Sequence, residues 1–133
     1  MQVEMQHSNE IKLESDGTVT VMEIRGDITA FSEPFFNEAY QKANAQGATK
    51  ILLKIDEGSY INSGGIAILI QILAQTKKNN QAIGITGISD HFKKIFHMVG
   101  ITKFAQIHNS LTEALETMAG EADEHKKNRV DAR

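Results

Sequence analysis

A chain of 133 residues that is 41% hydrophobic has enough apolar side chains for one core and too few residues for two. The absence of cysteine excludes a disulfide framework, thiol catalysis and cysteine-ligated metal, and it suits a reducing, cytoplasmic setting. A formal net charge of −3, without a basic stripe or a basic helix interleaved with aromatics, argues against nucleic acid as a partner, and no apolar run reaches the roughly 18 residues of a membrane span.

Taken in chain order, residues 1–10 (MQVEMQHSNE) are polar and acidic, reading as a flexible N-terminus and not as a signal peptide. Ile11 to Glu14 and Thr18 to Ile24 alternate apolar and polar residues around Asp16-Gly17, which is a hairpin signal. Ser32-Glu33-Pro34 reads as a helix start with Ser32 as N-cap, and Phe35, Phe36, Ala39, Tyr40 and Ala43 recur at helical spacing until Gly47. Lys50 to Asp56 (KILLKID) reads as a buried strand, Gly64 to Lys77 as a helix, and Ala82 to Thr86 (AIGIT) as a further strand. Ser89 to Met98 forms the next helix, with Phe92, Ile95, Phe96 and Val99 on one face and Gly100 as its stop. Phe104 to Ile107 reads as a fifth strand, and Ser110-Leu-Thr-Glu113 is a capping box opening a last helix, Leu111 to Met118.

The residues from 120 onward, GEADEHKKNRVDAR, have the composition of a disordered charged tail, leaving one domain over residues 11–119. A hairpin followed by alternating helices and strands predicts an α/β domain. It should have a mixed, mainly parallel sheet of about five strands with about four helices packed on it.

The chemistry is concentrated in GSYINSGGIAILIQIL, residues 58–73, where a polar loop turns into a glycine pair and an apolar run. No GxxxxGK[ST], GxGxxG or GxSxG motif is present, so phosphate-loop and nucleophile-elbow chemistry are not indicated. Of the histidines (His7, His91, His97, His108 and His125), His91 and His97 are six apart and fall on different sides of a helix. The adjacent Asp56 and Glu57 read as solvated loop charges. The sequence therefore implies no enzyme, no metal and no cofactor.

What remains is a serine at a helix N-terminus. Ser63 or Asn62 can serve as the N-cap, worth about 1 kcal/mol. The same geometry offers the amides of Gly64, Gly65 and Ile66 to an anion, including a phosphate on a nearby hydroxyl. Along the helix, Ile66, Leu69, Ile70 and Leu73 read as the core stripe, with Gln71 and Gln75 toward solvent. Ile68 and Ile72 lie on its flank. Either a neighbouring element covers them, or they form an exposed apolar strip suited to binding a protein.

The stretches "ILLKIDEGSYINSGGIAILIQIL" and "AIGITGISDHFKKIFHMVGITKFAQIHNSLTEALETM", preceded by "IRGDITAFSEP", resemble the STAS domain, the module of sulfate transporters and anti-sigma factor antagonists. The match spans about Ile11 to Met118 and is most similar to the stand-alone bacterial antagonists. Without gaps, Asn62 through Ala67 falls on the family's D-S-[ST]-G-L-G motif. Asn62 then replaces an aspartate, and Gly64 stands at the usual phosphoacceptor position, one residue after Ser63. Thr29 replaces the aspartate of the family's "GELD" corner. The resemblance implies a binding module that captures an anti-sigma factor, itself a GHKL-type serine kinase, and is reset by a PP2C-type phosphatase. Nucleotide and metal would belong to those partners. It makes Ser63 the phosphorylation candidate, with Ser59 next. Thr29, Asn62, Gly64, Gly65, Ile68 and Ile72 become partner-binding candidates. The alternative is a STAS scaffold or small-ligand sensor with no phosphorylation cycle.

Overall fold

The computed structural model describes residues 9–120; the expected flexible N-terminus and charged tail fall almost wholly outside them. Strands β1 (Glu10–Asp16), β2 (Val19–Arg25), β3 (Lys50–Ile55), β4 (Ala82–Thr86) and β5 (Gln106–His108) form one sheet in chain order. β1 and β2 are antiparallel, and every other neighbouring pair is parallel. Helices α1 (Glu33–Ala45), α2 (Ser63–Lys78) and α3 (Asp90–Met98) connect the parallel strands, and α4 (111–120) follows β5. This is the mixed, mainly parallel α/β sheet that the sequence predicts.

Alternation along each strand divides the core between the two faces of the sheet. Met22, Ile24, Ile51, Leu53, Ile55 and Ile85 point to the face covered by α1, α2 and α3, where Phe36, Leu69, Leu73 and Phe96 complete the main core. Val19, Val21 and Leu52 point to the other face and meet Ala114 and Met118 of α4. Beyond α4 that second face is charged. Lys54 lies opposite Glu23 in the β2–β3 register and bonds it at 3.0 Å. The hydrogen bond from Lys54, then its charge, holds the Glu23 carboxyl below its ordinary range. Any stability this adds is complete above the ordinary carboxylate pKa and is lost as pH falls through the lowered one.

The hairpin turns at Gly17 with φ +61, α1 stops before Gly47 with φ +81, and α3 stops before Gly100 with φ +89, as the sequence implies. Two readings are corrected. Phe104 does not begin β5; the chain after Gly100 first makes a 3-10 turn at Ile101–Lys103, and Phe104 ends that turn half-exposed. Ser32 precedes α1 yet makes no side-chain cap, because its hydroxyl is used elsewhere.

Candidate functional site

The ends of parallel strands leave a crevice where the outgoing loops meet, and ligands of open α/β sheets bind there. Here the loops after β2 and β3 are joined by backbone. The Ile28 amide donates to the Tyr60 carbonyl at 2.9 Å, and the Asn62 amide donates to the Ile28 carbonyl at 3.2 Å, forming a parallel bridge from Ile28 to Ile61. The Tyr60 amide also donates to Asp27 Oδ1 at 3.0 Å. Ile28 and Ile61 are buried, anchoring the crossing point in the core.

The loop after β2 continues into a 3-10 turn, Ala30–Ser32, that Thr29 caps by accepting the Phe31 amide. Ser32 Oγ accepts the Thr29 amide at 3.0 Å and donates to the Asp27 carbonyl at 3.3 Å. This is why Ser32 is unavailable to α1. Thr29 is therefore a structural member of the loop, half-buried, with its hydroxyl engaged locally.

The first turn of α2 is seated against that loop. A Cβ at Gly65 would lie 2.0 Å from the Ile28 carbonyl oxygen, and one at Gly64 would lie 2.9 Å from the Ala30 nitrogen. The glycine pair is thus a close-approach surface, with Gly65 buried. Asn62, and not Ser63, is the cap: its Oδ1 accepts the Gly65 amide at 2.9 Å, and its carbonyl accepts the Ile66 amide at 2.9 Å. Two of the three amides expected to hold an anion are accordingly bonded to Asn62. Asn62→Ala should cost about 0.5–2 kcal/mol in a thermal or urea melt, whereas Ser63→Ala should change stability by less than about 0.5 kcal/mol. Equal losses for the two would show the serine to share the cap.

Ser63 is the first residue of α2 and is exposed. Ser59 is half-buried in the preceding turn, where its amide donates to the Asp56 carbonyl at 3.0 Å. Ile68 and Ile72 do not form an exposed strip: they are 5% and 2% accessible and belong to the main core, whereas Ile70 is 39% accessible. The seat of Gly65 fixes the rotation of the helix, so that Gly65, Ile68, Leu69, Ile72, Leu73 and Thr76 turn inward. Ser63 and Ile70, two turns apart, share the outward face.

Sequence reasoning missed two exposed aromatics on these loops, Phe31 and Tyr60. Tyr60 meets Phe92 at the start of α3 edge-on, with ring centroids 6.2 Å apart, and His91 meets the same ring at 5.1 Å. The signal was present: each aromatic stands in a polar loop, outside any core periodicity. Among the described residues no group of three metal-ligating side chains converges, and no helix is long and apolar enough to cross a membrane.

The STAS domain family matches residues 10–114. The chain belongs to the STAS domain family. An anti-sigma-B factor antagonist of Staphylococcus aureus is 21% identical over 80 residues, covering 60% of this chain and 74% of that protein. The crystal structure of an anti-sigma factor antagonist from Mycobacterium paratuberculosis superposes with a TM-score of 0.70 at 19% identity, covering 85% of this chain and 96% of that one. SpoIIAA shares the fold in its unphosphorylated form (TM-score 0.66, 18% identity, 84% and 97% covered). So does the phosphorylated form from Bacillus (0.59, 16%, 81% and 98%). Within this STAS domain, the position where the family resemblance places the phosphoacceptor is Gly64, with Ala30 directly against it.

Proposed function

We propose that this STAS domain is an anti-sigma factor antagonist whose docking surface is the loop end of the sheet around Ser63. Phe31, Tyr60 and Ile70 supply the apolar contacts, and Thr29 and Asn62 hold the two loops in shape. The partner is an anti-sigma factor that is also a GHKL-type serine kinase. Ser63 is the residue it phosphorylates, and a PP2C-type phosphatase restores the free hydroxyl. Nucleotide and metal come with those partners.

The observation that carries this reading is the contrast between adjacent residues. Ser63 presents an exposed hydroxyl at the helix start, while a Cβ at position 64 would press on Ala30 at 2.9 to 3.3 Å. A hydroxyl displaced by one residue remains reachable by a kinase. A phosphate there would place about −1.5 to −2 charges two turns from Ile70 and three residues from Tyr60. An apolar contact would then have to desolvate that charge, which disfavours the complex. The named antagonists among the relatives, and SpoIIAA in its two phosphorylation forms, support the same cycle.

The test is incubation with a GHKL-type anti-sigma kinase of the same organism and ATP, followed by peptide mass mapping. The label is expected on Ser63 and absent from Ser63→Ala. Ser63→Asp should melt like the parent and bind the kinase at least about tenfold more weakly, a loss near 1.4 kcal/mol. A label that persists in Ser63→Ala moves the site, with Ser59 next. Kinase binding without any label leaves the non-phosphorylated scaffold or small-ligand sensor, the reading favoured by Asn62 occupying the amides of the helix start.

A further inference from the structure

The far end of α2 carries a second surface of different composition. At the end of α3 and in the turn that follows, Met98 is 80% exposed, and Val99 and Phe104 are each nearly half exposed. These are the large apolar side chains that the core leaves outside at this end, and they fall within seven residues of chain around Gly100. Lys77, in the last turn of α2, places its ammonium 5.4 Å from the centre of the Phe104 ring, which ties the α2 terminus to the same patch.

The stretch of chain that carries the patch is one-sided in charge. Residues 58–112 contain five lysines (Lys77, Lys78, Lys93, Lys94 and Lys103) and a single carboxylate, Asp90, in a chain with 17 acidic and 14 basic residues. Asp90 sits in the first turn of α3, away from the patch, and pairs with Lys93 at 3.5 Å. Among the described residues, Lys77, Lys78, Lys94 and Lys103 have no carboxylate within ion-pair distance. The last turn of α2 carries Lys77 and Lys78 at the negative end of its helix dipole.

We propose that Met98, Val99 and Phe104, framed by Lys77 and Lys103, form a docking surface for an acidic amphipathic helix of a second protein. An apolar stripe on such a helix would cover Met98 and Phe104, and its flanking carboxylates would face Lys77 and Lys103, which have no carboxylate partner among the described residues. From Ser63 to Lys77 the helix rises about 21 Å, so this surface and the Ser63 surface lie at opposite ends of α2. Both can be occupied at once. The domain then links two partners, and phosphorylation at Ser63 acts on only one of them.

The experiment uses the full chain and two fluorescein-labelled 20-residue amphipathic helical peptides with the same leucine–phenylalanine stripe, one with glutamate and one with lysine on the polar face. Anisotropy titration should show the acidic peptide binding at least tenfold more tightly than the basic one, with affinity falling as salt rises from 50 to 300 mM. The double reversal K77E/K103E should weaken the acidic peptide at least tenfold and raise binding of the basic one. Phe104→Ser with Met98→Ser should weaken both, and Ser63→Asp should change neither. Circular dichroism melts that match the parent establish that these exposed substitutions leave the fold intact. Equal binding of the two peptides, no binding of the acidic one, or indifference to K77E/K103E overturns the proposal. Binding of vesicles with 30% anionic lipid, or of duplex RNA, in place of the acidic peptide also overturns it. Each of these results leaves the Ser63 surface untouched, since the kinase assay reads that surface separately.

Discussion

Gly65→Ala is expected to destabilise the domain by more than about 3 kcal/mol, while Gly58→Ala shifts it by less than about 0.5 kcal/mol. The two glycines lie seven residues apart around the same loop, yet their surroundings differ completely. A methyl at position 58 meets nothing within 4 Å, whereas one at position 65 would stand 2.0 Å from the Ile28 carbonyl oxygen and 2.6 Å from its carbon. Those atoms are backbone and cannot rotate away. The Ile28 carbonyl also accepts the Asn62 amide, so moving it breaks the bridge that joins the two loops. Either α2 lifts off the sheet, exposing Leu69 and Leu73, or the loop after β2 is pushed outward with Ile28. Gly64→Ser lies between these cases. Its Cβ would meet Ala30 at 2.9 to 3.3 Å, so a shift of a few tenths of an ångström is needed, at a cost of about 1–3 kcal/mol. Urea melts of the three variants settle the order. A Gly65→Ala protein as stable as Gly58→Ala would mean that the loop and the helix do not meet in solution as described.

The hairpin, the helix stops and the order of elements were legible because each depends on a local requirement. Gly17, Gly47 and Gly100 all adopt positive φ, which a side chain disfavours, so a glycine there announces a turn wherever the rest of the chain lies. What was illegible depended on partners distant in sequence. Ser32 looks like a cap, but its hydroxyl is drawn to the Thr29 amide and the Asp27 carbonyl. The side of the sheet that α4 covers follows from Val19, Val21 and Leu52 pointing away from the main core, and no motif in α4 itself states this. The rotation of α2 was ambiguous for a simpler reason. From Ile66 to Leu73 only Gln71 is polar, so nearly any stripe drawn on that helix is apolar. The decisive contact is Gly65 against Ile28, and pattern alone gives a glycine no weight as a core residue. At the site, Ser63 stands out by chemistry, whereas Phe31 and Tyr60 become meaningful only once their exposure is known.

That rotation leads to the sharpest separation between stability and binding. Ile72→Lys and Ile68→Lys should abolish the cooperative thermal transition, as Leu69→Lys and Leu73→Lys should, because all four side chains lie inside the main core. A lysine at position 72 must either bury its charge or give up its proton, and it also removes an aliphatic chain that is 2% accessible. Removing the aliphatic contacts alone costs about 2–5 kcal/mol, before any charge is counted. Against a total stability of about 5–15 kcal/mol, the sum leaves little or no folded protein. Ile70→Lys lies within three positions of all four and should behave oppositely. Its side chain reaches solvent, so the melt should stay within about 0.5 kcal/mol of the parent. The same substitution on the proposed docking face should weaken the proposed complex with the kinase at least about tenfold, since a lysine pressed into an apolar contact is left unpaired. Calorimetry beside a binding titration separates the two outcomes. If Ile70→Lys binds the kinase as the parent does, the outward face of α2 is not part of the contact. The docking surface then contracts to the loops that carry Phe31 and Tyr60.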